Sequence, residues 1–208
     1  MRHFLILTTT FCFFSFSFGQ SLVRQENETA QMFADRLKPD STEIAHIIIE
    51  TKQLDTTKNI IVVFYKKTIY EVRQMPTYVD HSQYDIMLGY AFILTENKSY
   101  EKVFIDTIPP DGGDPEIISI FFANADKDMG KELIVLCKYE QVHYDYEGEF
   151  YEPYIFNYSM NTKRFTYLSK LSETFWGCEC GFRNGKTEIA RYKTANDIKI
   201  KLKKLGFN

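Results

Sequence analysis

Between residues 44 and 192 the chain repeats one rhythm: short stretches rich in Ile, Val, Phe and Tyr, each closed by a cluster of turn formers. β-Branched and aromatic side chains suit a pleated, packed surface, whereas Pro, Gly, Asn and Asp interrupt it. A chain cut into segments this short buries its apolar side chains by pairing them into sheets, and no other feature constrains the fold as much. The expected strands cover residues 44–51, 59–67, 69–73, 84–95, 100–107, 116–123, 132–139, 152–158, 164–168 and 186–192, the first two forming a hairpin. Between them lie the breakers Glu96-Asn97-Lys98, Pro109-Pro110-Asp111-Gly112-Gly113, Asn161-Thr162-Lys163 and Asn184-Gly185. Asn-Gly between two short strands is the strongest of these hairpin signals.

The two ends depart from this rhythm. Ala30, Phe33, Ala34 and Leu37 recur at helical spacing within the polar stretch 20–38, and Pro39 ends it. Near the other end Thr194 stands where an N-cap is needed, and Ala195, Ile198, Leu202 and Leu205 mark one helix face. Lysines crowd the last turn, where the helix dipole favours cations, and Gly206 supplies a stop with Phe207 to fold back. A helix over 195–205 follows. The fold class expected is α+β: mainly antiparallel β-sheet with a short N-terminal helix and a C-terminal helix, in one domain over 20–208.

Residues 1–19, MRHFLILTTTFCFFSFSFG, have the layout of a secretory signal peptide: Arg2, an apolar run, then Ser17 and Gly19 at the cleavage positions. The run is shorter than the roughly 20 residues that span a bilayer, and no later segment approaches that length. The expectation is a periplasmic or secreted protein beginning near Gln20, with no transmembrane segment.

Without Arg2 the chain holds 24 basic and 28 acidic residues, and their distribution is uneven. Residues 101–152 carry 13 acidic and 4 basic side chains, whereas residues 153–208 carry 11 basic and 4 acidic. This balance argues against a nucleic-acid ligand, which needs a basic surface. Blocks of charge are most simply solvated faces; the sharper reading is an acidic partner surface or cation site in mid-chain. After the leader three cysteines remain, and in an oxidising compartment Cys137 is expected to bridge Cys178 or Cys180, leaving one thiol over.

Two segments carry chemistry. In Asn124-Ala-Asp126-Lys-Asp128-Met-Gly130-Lys-Glu132-Leu133 oxygen-bearing side chains occupy positions 1, 3, 5 and 9 of a turn between apolar strands. Such spacing lets a loop wrap carboxylates around a hard cation, or simply forms an Asp/Asn/Gly turn with no ion. It is not an EF-hand, since Met129 and Val135 stand where that loop needs Gly and Glu. The ten residues resemble the Ca²⁺ loop of FG-GAP (VCBS, integrin-propeller) repeats, in which Asp-x-Asp-x-Asp-Gly-x-x-Asp-Leu precedes a strand. The resemblance implies Ca²⁺ held by Asn124, Asp126, Asp128 and Glu132, with the glycine displaced to Gly130. There is no second copy, so the likeness concerns the loop and not a propeller.

The second segment, residues 139–158, holds six of the 14 tyrosines interleaved with acidic residues. Tyrosine offers large contact area at low entropic cost, so Tyr144, Asp145, Tyr146, Glu147, Glu149 and Tyr151 are the candidate partner-binding residues, facing a protein with a basic surface. The same pattern also suits a twisted hairpin with cross-strand aromatic pairs. No Gly-x-Ser-x-Gly, His-Glu-x-x-His or phosphate-binding glycine loop occurs. The functional expectation is an exported, non-enzymatic binding protein, in its most concrete form an immunity-type inhibitor of a secreted toxin or cell-wall hydrolase. The alternative is a Ca²⁺-stabilised cell-surface or adhesive module.

Overall fold

The structure is a computed structural model that describes residues 22–128 and 130–207; the expected signal peptide lies outside them. The elements in order are α1 (Ala30–Arg36), β1 (Glu43–Ile44), β2 (Ile49–Thr51), β3 (Ile60–Gln74), β4 (Val79–Leu94), β5 (Tyr100–Ile108), β6 (Pro115–Ala123), β7 (Glu132–Val142), β8 (Tyr146–Ser159), β9 (Arg164–Tyr167), α2 (Ser169–Ser172, continued by a 3₁₀ turn at Glu173–Phe175), β10 (Gly177–Phe182), β11 (Thr187–Glu188) and α3 (Ala195–Lys204). They build a mostly antiparallel β structure with three short helices.

Two sheets result. One has the order β1-β3-β4-β5, with β2 following β1 along the same edge of β3; the other has the order β11-β10-β8-β7-β6, with β9 sharing the β10 edge of β8. They pack face to face. Ile60, Val62 and Phe64 of β3 and Ala91 and Ile93 of β4 meet Leu133, Val135 and Cys137 of β7 and Tyr154, Phe156 and Tyr158 of β8 in one buried cluster. Because strand side chains alternate, the intervening residues form two further layers. Ile61, Val63 and Tyr65 pack under Phe33, Ala34 and Leu37 of the α1 region. Ile134, Leu136 and Ile155 pack under Ile198 and Leu202 of α3 together with Phe175. The order is therefore helix, sheet, sheet, helix. It explains the unbroken apolar runs at 60–65 and 133–137: these central strands are buried on both faces, where a half-exposed strand would alternate.

The helices form for local reasons. Thr29 caps α1, its Oγ1 accepting from Met32 N–H at 3.1 Å. The fully buried Phe33 then meets Phe92 edge-on at 5.3 Å, and the Tyr65 hydroxyl donates to Ala34 O at 2.7 Å. The helix is only seven residues long and starts well inside the polar N-terminal stretch. In α3 the Thr194 hydroxyl accepts from Asp197 N–H. At the other end Gly206, at φ +95°, lets Gly206 N–H reach Lys203 O and Phe207 N–H reach Leu202 O. These are the paired bonds of a Schellman stop.

Several expectations are revised. The strands foreseen at 59–67 and 69–73 are one 15-residue strand, β3. β11 spans two residues where 186–192 was expected, and β10 and α2 were not foreseen. The expected bridge from Cys137 does not form: Cys137 is a free, buried thiol. It lies opposite Glu152 on β8, and Cys178 lies on β10 beyond β8. Two strand spacings separate them by about 10 Å, against the roughly 4.4–6.8 Å between Cα atoms that a disulfide spans. Instead Cys178 and Cys180 stand side by side on one face of β10, Cα atoms 5.3 Å apart, within disulfide reach of each other.

Candidate functional site

The acidic loop sits where β6 hands over to β7. Its first three oxygen-bearing side chains form successive turns with their own backbone: Asn124 Oδ1 accepts from Asp126 N–H at 3.3 Å, Asp126 Oδ1 from Asp128 N–H at 2.8 Å, and Asp128 Oδ1 from Gly130 N–H at 2.6 Å. Asn and Asp favour such turns because a short side chain imitates a backbone carbonyl. Glu132, the first residue of β7, is 1% exposed and accepts from Ala125 N–H. Burial, with the charges of Asp126 and Asp128 behind it, pushes its carboxyl up to about 7.

Carboxylate oxygens of Asp126, Asp128 and Glu132 all lie within 4.8 Å of one another, so this cluster could hold a metal ion. All-oxygen chemistry suits a hard cation such as Ca²⁺. The side chain of Asn124, proposed from the sequence as a fourth ligand, donates through Nδ2 to Asp128 O at 3.0 Å, which keeps its amide on the same loop. Sequence reasoning missed Asn157: from β8 its Nδ2 donates to Asp126 Oδ2 at 2.8 Å and ties the loop to the sheet. Lying 31 residues from its partner in an unremarkable strand, it gives no local signal.

The second candidate region is the end of the β7-β8-β10 sheet remote from the acidic loop. Alternation sends Glu147, Glu149 and Tyr151 to the outer face and Tyr146 to the opposite one. Tyr151 is 8% exposed, and its hydroxyl donates to Glu149 Oε2 at 2.6 Å, so it supports the face from beneath. Tyr144, Asp145 and Tyr146 lie at the tip. Tyr146 stacks on His143 at 4.3 Å and touches Phe182. The largely exposed Tyr144 lies under the Arg183 guanidinium, 4.4 Å from the ring centre. The six residues thus split between an aromatic tip and an acidic flank.

The register adds members that the sequence did not reveal. Glu140 of β7 lies opposite Glu149 of β8, and Glu149 lies opposite Glu179 of β10. Three glutamates therefore form one cross-strand row, although like charges directly opposite each other destabilise a sheet. Lys138 offsets part of this repulsion, reaching Glu149 at 3.0 Å and Glu116 at 3.1 Å. Those two hydrogen-bonded carboxylates hold its ammonium well above the usual lysine range, despite some loss of solvent. In return Tyr151 and Lys138 hold Glu149 below the ordinary carboxylate range. Lys193 pairs with Glu179. Asp114 from the loop before β6, with Glu116, Glu140, Glu147 and Glu149, lines a hollow of about 750 Å³ over this face. β8 and β10 lie so close here that a Cβ on Gly148 would sit 2.2 Å from Glu179 O, so only glycine fits. Such a surface can attract and orient a cationic ligand from solution.

Among the described residues no helix is long and apolar enough to cross a membrane. Comparison with known proteins finds no matching family, no similar curated protein and no similar solved structure.

Proposed function

We propose that this chain is an exported, non-enzymatic binding protein whose recognition surface is the acidic outer face of β7, β8 and β10. The observation that carries this reading is the Glu140–Glu149–Glu179 row. Lys138 and Lys193 offset only part of the repulsion among these three in-register carboxylates, and a basic partner laid across them would relieve the rest. The flanking tip, with Tyr144 and Tyr146, adds aromatic contact area of the kind that anchors interfaces. The partner fitting this surface is a protein with a basic patch, and a secreted toxin or cell-wall hydrolase inhibited by this chain is the concrete form proposed, in the periplasm or medium.

The Asp126–Asp128–Glu132 cluster supports a second reading, a Ca²⁺-stabilised cell-surface or adhesive module, because its oxygens already converge. One experiment separates the two. The chain from Gln20 onward is used as bait in Ca²⁺ and in EDTA, beside a Glu140→Lys/Glu147→Lys variant. A basic partner held at one-to-one stoichiometry in both buffers, and lost with the variant, supports the acidic face. Equal retention by the variant overturns it. Retention only in Ca²⁺ transfers the function to the loop.

A further inference from the structure

Beyond the last residues that β1 and β5 pair, β3 and β4 run on as a two-stranded arm. β1 reaches only Tyr65 and Lys66 on β3, and β5 reaches only as far as Met87 on β4, yet β3 and β4 stay in register out to Gln74 and Val79. The arm exposes Tyr70, Val72, Tyr78 and Val79, with Tyr70 75% and Val72 62% accessible.

Backbone direction along this ribbon follows from two bonds at its base. Phe64 O accepts from Ala45 N–H, so even-numbered residues of β3 point their N–H and C=O groups away from β4. Asp85 N–H donates to Asp114 Oδ1, so odd-numbered residues of β4 point theirs away from β3. The register is continuous. Tyr70, Val72 and Gln74 therefore turn their backbone donors and acceptors outward along an edge that no strand among the described residues covers. Open edges of this kind template further pairing.

We propose that this edge pairs with the same edge of a second copy of the chain, antiparallel and centred on Val72. In that register Val72 meets Val72 of the other copy, Tyr70 meets Gln74, and Glu71 meets Arg73 twice, once on each side of the two-fold axis. Outward amides face outward amides throughout. Centring on Glu71 or on Arg73 sets like charges against each other, and a shift of one residue sets outward amides against inward ones. Charge and backbone direction thus favour this register over its neighbours. Within one copy Glu71 and Arg73 already bond at 2.8 Å on one face of the exposed strand, and across the two-fold axis each would gain a second opposite charge. The contact is isologous and closes at two copies. It uses a surface separate from the acidic face proposed for partner recognition.

Sedimentation equilibrium over a range of micromolar concentrations tests the proposal. Wild type is expected to show a monomer–dimer equilibrium. Val72→Pro removes an outward N–H and leaves the β3–β4 ladder intact, because edge strands tolerate proline where the N–H faces solvent. It should raise the dissociation constant about tenfold or more, with the thermal melt of the monomer nearly unchanged. Glu71→Arg should weaken the dimer similarly, and Glu71→Arg/Arg73→Glu should restore it, since the swapped charges again face their opposites. A wild type that stays monomeric, a dimer indifferent to Val72→Pro, or a double variant no better than Glu71→Arg alone would each overturn the proposal.

Discussion

Glu140→Lys bears most directly on the proposed recognition surface. Glu140 lies on β7 with Glu149 directly opposite and Glu147 on the diagonal. Opposed side chains in an antiparallel pair have Cβ atoms about 4.5–5.5 Å apart, and one unfavourable pair is worth roughly 0.2–1 kcal/mol. Lys138 already neutralises part of Glu149, so relief of repulsion alone contributes the lower part of that range. Reversal also adds an attraction of similar size, for a net gain of about 0.5 kcal/mol. In a chain of this length that raises the melting temperature by about 1–2 °C. The assay is thermal unfolding by circular dichroism at low salt and at about 1 M NaCl, where screening shortens the reach of exposed charges from about 10 Å to about 3 Å. The variant should melt higher at low salt and lose most of that gain at high salt, while its affinity for a basic partner falls. A variant melting lower than wild type, or a gain unchanged by salt, would refute the claim that the glutamate row opposes folding.

Ca²⁺ at a hundredfold excess over its dissociation constant should stabilise wild type by about 2.7 kcal/mol and leave Asp128→Ala unmoved; no Ca²⁺-dependent shift in wild type removes the calcium reading. Glu28, nearly buried, is held at about 2, chiefly by its paired hydrogen bonds with Arg36. Its contribution to stability is complete above the ordinary carboxylate range near 4.5 and is lost as pH falls towards 2. Arg36→Ala should cost about 2 kcal/mol at pH 7 and flatten the acid limb of a pH–stability curve, and an unchanged acid limb would contradict this. A Cβ on Gly89 would lie 2.6 Å from Phe64 Cε1 and 3.2 Å from Ile105 Cβ, beside the irregularity in β4–β5 pairing. Gly89→Ala should therefore destabilise by about 1–3 kcal/mol in chemical denaturation; a neutral result would show that Phe64 has room to move.

Much of the local structure was legible in the residues themselves. Thr194 and Gly206 mark the ends of α3 because caps and stops act within one turn. The turn at Asn184-Gly185 and the succession Asn124, Asp126, Asp128 are legible for the same reason: each side chain bonds a backbone group two residues on. The apolar runs at 60–65 and 133–137 identify strands, since such stretches have few other ways to bury every side chain.

What faces what was decided by pairing between distant segments. Glu179 lies in a Cys-Glu-Cys stretch that reads as cysteine chemistry, and only the β8–β10 register sets it beside Glu149. Asn157 reaches Asp126 because β8 lies next to β7. Cys137 is separated from Cys178 by the intervening strand, which no count of cysteines reveals. The physical reason is common to all three. Propensity, capping and turn chemistry act between near neighbours in sequence, so the sequence determines them unaided. Strand order and register depend on which apolar faces bury each other across the whole chain, and a shift of one residue sends every side chain to the opposite face.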